Sequence, residues 1–80
     1  MTCAICGAET EPRLPMGLAF RYSCSDCGDY RISTSLDAII GERVFDVVRT
    51  RVVLRFRRRQ NPAEEPVLNS DDWDLLIDQG

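Results

Sequence analysis

At 80 residues the chain has room for one domain at most, and a core of that size is marginal without a metal, a disulfide or a partner to brace it. Its 10 basic residues are all arginine and meet 13 acids for a formal charge of −3, which lacks the strongly basic profile of a dedicated nucleic-acid binder. There is no histidine to serve as a general base or metal ligand, and no apolar run approaches the length of a membrane span.

The chain opens on a Cys-x-x-Cys-Gly knuckle, Cys3, Cys6 and Gly7, matched by a second, Cys24, Cys27 and Gly28, with seventeen residues between Cys6 and Cys24. A two-residue gap lets both sulfurs of one knuckle face a single ion while backbone amides between them hydrogen-bond to the sulfur. Glycine after the second cysteine takes positive φ and turns the chain away from the metal. Cys3, Cys6, Cys24 and Cys27 are therefore the candidate ligands of one Zn²⁺ ion. A rubredoxin-like iron centre and a pair of structural disulfides are the alternatives. Met1 and Thr2 supply neither a basic start nor an apolar run ahead of Cys3, so no signal peptide is expected there, and the expected compartment is the reducing cytoplasm. Four sulfurs close the coordination sphere, which points to a structural metal and away from metal-activated water.

Between the knuckles, Pro12, Pro15 and Gly17 punctuate the chain, and Leu18, Phe20 and Tyr22 then alternate with Ala19, Arg21 and Ser23 as a strand. A further strand over 29–33 pairs with it and completes a small ribbon of three short antiparallel strands. Phe20, Tyr22, Tyr30 and Ile32 are its core residues, packed beside the metal. Ser33-Thr34-Ser35 then caps a helix whose apolar face is Leu36, Ile39 and Ile40, and Gly41 ends or kinks it. Over 42–60 the spacing predicts a second helix with two stripes. Val44, Val47, Val48, Arg51 and Leu54 form one, and Phe45, Val52 and Phe56 form the other. An extended reading of 44–56 is the alternative, because that stretch is rich in valine and aromatics. Asn61-Pro62 stops the helix, a loop follows with Pro66 at its centre, and Ser70 is the expected cap of a last short helix. Asp71 and Asp72 fill its first turn and Trp73, Leu76 and Ile77 its apolar stripe.

The predicted architecture is thus an α+β fold: a four-cysteine zinc ribbon over 1–35, an arginine-rich helical segment over 36–60, and an acidic loop with a short C-terminal helix over 61–80, all one compact domain. The order CxxCG, aromatic hairpin, CxxCGxYxIS, helix, arginine-rich helix, PVLNSDD turn resembles the bacterial zinc-ribbon modules found at the N-terminus of larger, poorly characterised proteins, some of them associated with defence systems. Cys3, Cys6, Cys24, Cys27, Gly28, Tyr30, Ile32 and Ser33 carry the resemblance, more loosely joined by Arg59-Gln60-Asn61, Pro66 and Ser70. The helical segment departs from that pattern in its Val-rich and Arg-rich positions. The resemblance implies a zinc-dependent accessory domain and no reaction of its own.

Charge is unevenly spread. Residues 36–60 carry seven arginines against Asp37, Glu42 and Asp46, whereas 61–80 carry six acids and no base. Arg49, Arg51, Arg55, Arg58 and Arg59 are the candidate phosphate contacts of a nucleic-acid reading, with Tyr22 and Tyr30 as stacking platforms and the acidic end as a competing lid. The plainer expectation is that the acidic segment folds back on the arginines. Phe45, Val52, Phe56, Trp73, Leu76 and Ile77 are the candidate surface for a protein partner or a second copy. The leading expectation is a non-enzymatic, zinc-shaped interaction module. It has no small-molecule substrate and no membrane association.

Overall fold

A computed structural model of the protein describes residues 1–78. The chain forms β1 (Leu14–Met16), β2 (Ala19–Cys24), β3 (Gly28–Ser33), α1 (Thr34–Ile40), β4 (Val44–Phe45), α2 (Val47–Gln60), β5 (Val67–Leu68), a 3-10 turn (Ser70–Leu75) and β6 (Leu76–Ile77). The α+β expectation holds.

Strands β1, β2 and β3 make the antiparallel ribbon, and β5 adds a fourth strand parallel to β3. Alternation along β2 and β3 decides which side is wet. Tyr22, Cys24, Tyr30 and Ile32 point into the core, while Arg21, Ser23, Asp29 and Arg31 face outward. Tyr22 and Tyr30 are direct cross-strand partners and stack with ring centroids 5.1 Å apart and planes 3° from parallel. Both rings are buried, so neither is a platform for a nucleobase. On the outer face Arg21 stands opposite Arg31, a like-charge pair that would destabilise the strands. Glu65 relieves it by bridging the two, at 2.6 Å to Arg21 and 3.5 Å to Arg31.

Helix α1 starts where its hydroxyls predict: the Ser33 side chain accepts the Leu36 amide at 3.2 Å, and Gly41, with φ 56°, ends it. The second helix is shorter than the spacing suggests. Asp46 caps it by accepting from the Arg49 amide at 3.1 Å, and the two residues before the cap, Val44 and Phe45, are extended and pair antiparallel with Ile77 and Leu76. Phe45 is consequently core, not an outer-stripe residue. The inner face of α2 is Val47, Thr50 and Leu54, with Val53 beside them, and Val48 moves to the outer face with Val52 and Phe56. The extended reading of 44–56 is right for two residues and wrong for the rest.

The C-terminal segment departs furthest. Asn69, not Ser70, is the cap: its side chain accepts from the Asp71 amide at 2.9 Å while Asp72 reaches back to the Asn69 amide at 2.9 Å. A six-residue 3-10 segment kinked at Asp72 follows in place of a two-turn α-helix, so the i, i+3, i+4 stripe does not form. Leu75 and Leu76 enter the core, Trp73 stays 59% exposed and Ile77 sits at the rim.

Candidate metal centre

The first knuckle lies in a loop clipped to itself by backbone bonds. The Cys3 amide donates to the Ala8 carbonyl at 2.7 Å, and the Gly7 amide donates to the Cys3 carbonyl at 3.0 Å with Gly7 at φ 77°. The second knuckle is the turn between β2 and β3 and closes on Gly28 at φ 84°. Each knuckle aims an amide at its own sulfur, Ile5 at Cys3 Sγ and Cys27 at Cys24 Sγ, both 3.4 Å. These are the amide-to-sulfur bonds the two-residue spacing predicts.

The four sulfurs converge between the knuckles. Cys3 Sγ lies 4.0 Å from Cys27 Sγ, Cys6 Sγ lies 3.6 Å from Cys24 Sγ, and all four fall within 4.8 Å of one another. A tetrahedral ion with sulfur at about 2.3 Å requires sulfur-to-sulfur separations of about 3.8 Å, so the set fits a single ion. None of the cysteines is in a disulfide. Three are buried and Cys6 is half-buried.

Side chains outside the four ligands complete the site. The Tyr30 hydroxyl, fully buried, accepts from the Ala4 amide at 3.1 Å and lies 3.1 Å from Cys3 Sγ, in reach to donate a hydrogen bond to that sulfur as a thiolate. Arg51 reaches over from α2 and donates Nε to Cys27 Sγ at 3.4 Å. Arg58 spans the back of the second knuckle, donating Nη2 to the carbonyls of Cys27 at 2.8 Å and Asp29 at 2.9 Å. Its guanidinium lies so close over Gly28 that a Cβ there would meet Nη2 at 2.6 Å. Gly28 is thus favoured by its φ, and a side chain there would also push the Arg58 guanidinium off the Cys27 and Asp29 carbonyls.

These surroundings split the thiols of the metal-free site. Burial, foremost, together with neighbouring thiols pushes Cys27 up to about 12 against the pull of Arg51, and burial also raises Cys24. At Cys6 burial acts upward too, but the Ala8 amide and hydrogen bonds from the other cysteines outweigh it and hold the thiol at about 7. The Tyr30 phenol is pushed well above its ordinary value by burial and by Cys3, so it stays a donor.

No family model, curated protein or solved structure matches this chain. The likeness to zinc-ribbon modules rests on the four-cysteine arrangement itself.

The candidate arginines do not form one surface. Arg51 and Arg58 are spent on the second knuckle, and Arg49 meets Asp74 at 3.6 Å. Among the described residues only Arg55 and Arg59 of the five make no polar side-chain contact. The acidic segment does fold back, through Arg49–Asp74 and through a bidentate pair between Arg57 and Asp72 at 2.6 and 2.8 Å. Sequence reasoning missed Arg51 as a thiolate donor. Only its place on the inner flank of α2, three residues before Leu54, hinted at it.

Proposed function

We propose that this chain is a non-enzymatic zinc module in which a four-cysteine site holds together a small scaffold for binding another protein. The observation that carries the reading is the convergence of Cys3, Cys6, Cys24 and Cys27 on one tetrahedral position. Thiolates without histidine select zinc, and a closed four-sulfur shell supplies structure and leaves no place for a reacting water. The ion would cross-link the N-terminal loop to the tip of the β2–β3 hairpin and so contribute directly to folding. Four thiolates suit a reducing cytoplasm. Among the described residues no helix is long and apolar enough to cross a membrane.

Arg51 and Tyr30 support this assignment. A zinc ion with four thiolates carries net negative charge, and one cationic donor and one neutral donor are placed to offset it. The test is native mass spectrometry with elemental analysis of protein purified without added metal. One zinc per chain, lost in Cys24→Ser, is the expected result. One iron per chain with a coloured oxidised form would replace the reading with the rubredoxin-like one. A chain without stoichiometric metal would end it.

A further inference from the structure

We infer that the outer face of α2 is a docking surface for an acidic amphipathic helix of another protein, an inference that rests on the zinc-module reading and adds the partner's chemistry. Val48, Val52 and Phe56 succeed one another at i, i+4 and i+8, with 73%, 56% and 60% of their surface exposed. They form one continuous apolar line about 12 Å long at the helical rise. Beside it, between α2 and the 3-10 turn, runs an open groove of about 360 Å³ lined by Val53 and Leu75 together with Arg49, Asp72 and Asp74, whose charges are met within the fold by the Arg49–Asp74 and Arg57–Asp72 pairs. Three large apolar side chains in a row beside such a groove go beyond the scattered apolar exposure normal for a monomer.

Charge selects the occupant. Arg55 and Arg59 flank the line and, among the described residues, have no carboxylate partner, whereas Arg49, Arg51, Arg57 and Arg58 are engaged within the fold. An apolar line with unpaired arginines on its flank complements a helix that carries apolar residues at the same spacing and glutamate or aspartate beside them. Nucleic acid fits poorly. Phosphates would satisfy Arg55 and Arg59 but leave Val48, Val52 and Phe56 uncovered, and Tyr22 and Tyr30 are buried. A second copy fits poorly too. Two α2 helices packed antiparallel about Val52 would set Val48 against Phe56 but also Arg49 against Arg55, and a parallel pair would set Arg55 against Arg55 and Arg59 against Arg59. A copy offering its acidic C-terminal segment instead would have to give up Asp72 and Asp74, which already pair with Arg57 and Arg49 within the fold.

The probe is a displayed library of helical peptides with leucine fixed at i, i+4 and i+8 and flanking positions drawn equally from Glu, Lys and Ser, selected against full-length zinc-loaded protein. Enrichment of Glu at the flanks is expected. The selected peptide should bind at least about tenfold more weakly to Arg55→Glu/Arg59→Glu, with binding restored by exchanging its glutamates for lysines, and should lose binding to Val52→Glu. Both variants lie on the exposed face, and circular dichroism and one bound zinc per chain report that each is folded. Enrichment of Lys, an unbiased flank, or no enrichment against folded, zinc-loaded protein overturns the surface while leaving the metal reading intact. A dimer in solution abolished by Val52→Glu, or salt-sensitive duplex binding abolished by Arg55→Glu/Arg59→Glu, also overturns it, in favour of a second copy or of nucleic acid. Protein without zinc fails earlier, at the metal reading.

Discussion

Tyr30 shows how one hydroxyl serves both the core and the metal. Its ring is fully buried against Tyr22, and a buried phenol must find partners. It accepts from the Ala4 amide and donates toward Cys3 Sγ, which fixes the first knuckle and drains charge from the thiolate. Tyr30→Phe keeps the ring stack, removes the donor and leaves the Ala4 amide unpaired. Zinc affinity should fall by about tenfold, within the range found for donors that support metal ligands, with the fold retained in excess zinc. Chelator competition measures the first and circular dichroism the second; an unchanged affinity would reduce Tyr30 to a core residue. The thiols themselves set a pH dependence. Zinc must displace the protons still held by the cysteines, so affinity rises with pH. Above about 7 the Cys6 thiol has already lost its proton, whereas Cys27, held up to about 12, still gives one up on binding. Plotted against pH, the logarithm of the zinc dissociation constant should therefore flatten by about one proton on crossing pH 7. Zinc titrations against a competing chelator at several pH values on either side of 7 read that change, and an equal slope on both sides would show that Cys6 does not lose its proton there. The four-cysteine cluster was legible in the sequence because metal spacing is local and chemically specific. Arg51 and Arg58 were not, because reaching the knuckle depends on the rotation of a helix two dozen or more residues downstream, and periodicity alone gave that rotation wrongly.

At the scale of elements, the misread stretches share a cause. Val44 and Phe45 fit a helical period, and Leu76 and Ile77 fit another, yet each pair becomes a two-residue strand because it meets the other. Pairing across some thirty residues leaves no local trace. The start of α2 and the cap of the last segment were misplaced for a related reason: Asp46 and Asn69 are as good as Ser70 as caps, and the choice depends on where each chain segment turns onto the core. Asp72 holds the C-terminal segment in place. Its carboxylate accepts the Asn69 amide within the capping box and both terminal nitrogens of Arg57, with only 11% of the side chain exposed. Burial alone would raise its pKa, but Arg57 and the Asn69 amide outweigh burial and hold the carboxyl below its ordinary value. Asp72→Asn keeps the shape and loses the charge, so it should cost about 2 kcal/mol in urea unfolding at neutral pH. The sign of the linkage fixes the pH behaviour. A depressed native pKa contributes stability that is complete above the unfolded value, about 4, and is lost only as pH falls below it. The deficit of Asp72→Asn should therefore be the same at pH 5.5 and pH 7.5 in excess zinc. A deficit that shrank by pH 5.5 would mean that Arg57 does not hold Asp72 ionised.

Over the whole molecule, the four-cysteine cluster and helix α2 are tied together by direct contacts. Helix α2 is anchored at Leu54 in the core, but on its knuckle side the contacts are polar and specific: Arg51 to a ligand sulfur, Arg58 to the two carbonyls that bracket Gly28. Both depend on the second knuckle keeping its turn. The first knuckle joins the rest through its sulfurs, through Tyr30 and through the buried Ile5. Removing the ion leaves buried thiols crowded together without a charge to gather them, and the core of an 80-residue chain has little stability in reserve. Loss of zinc should accordingly spread beyond the knuckles. In hydrogen exchange with and without a strong chelator, amides of the knuckle loops and of α2 around Leu54 should lose protection together, and returning zinc should restore both. The β4–β6 pair flanks the start of α2 and Asp72 holds Arg57 near its end, and none of these residues hydrogen-bonds a cysteine sulfur, so they supply the control. If they and α2 stayed protected while the knuckles alone opened, the centre would be a local clip, and the outer face of α2 would keep its shape without metal. If every element lost protection at once, zinc would govern the presentation of Val48, Val52 and Phe56, and any partner bound there would read the metal state of the chain.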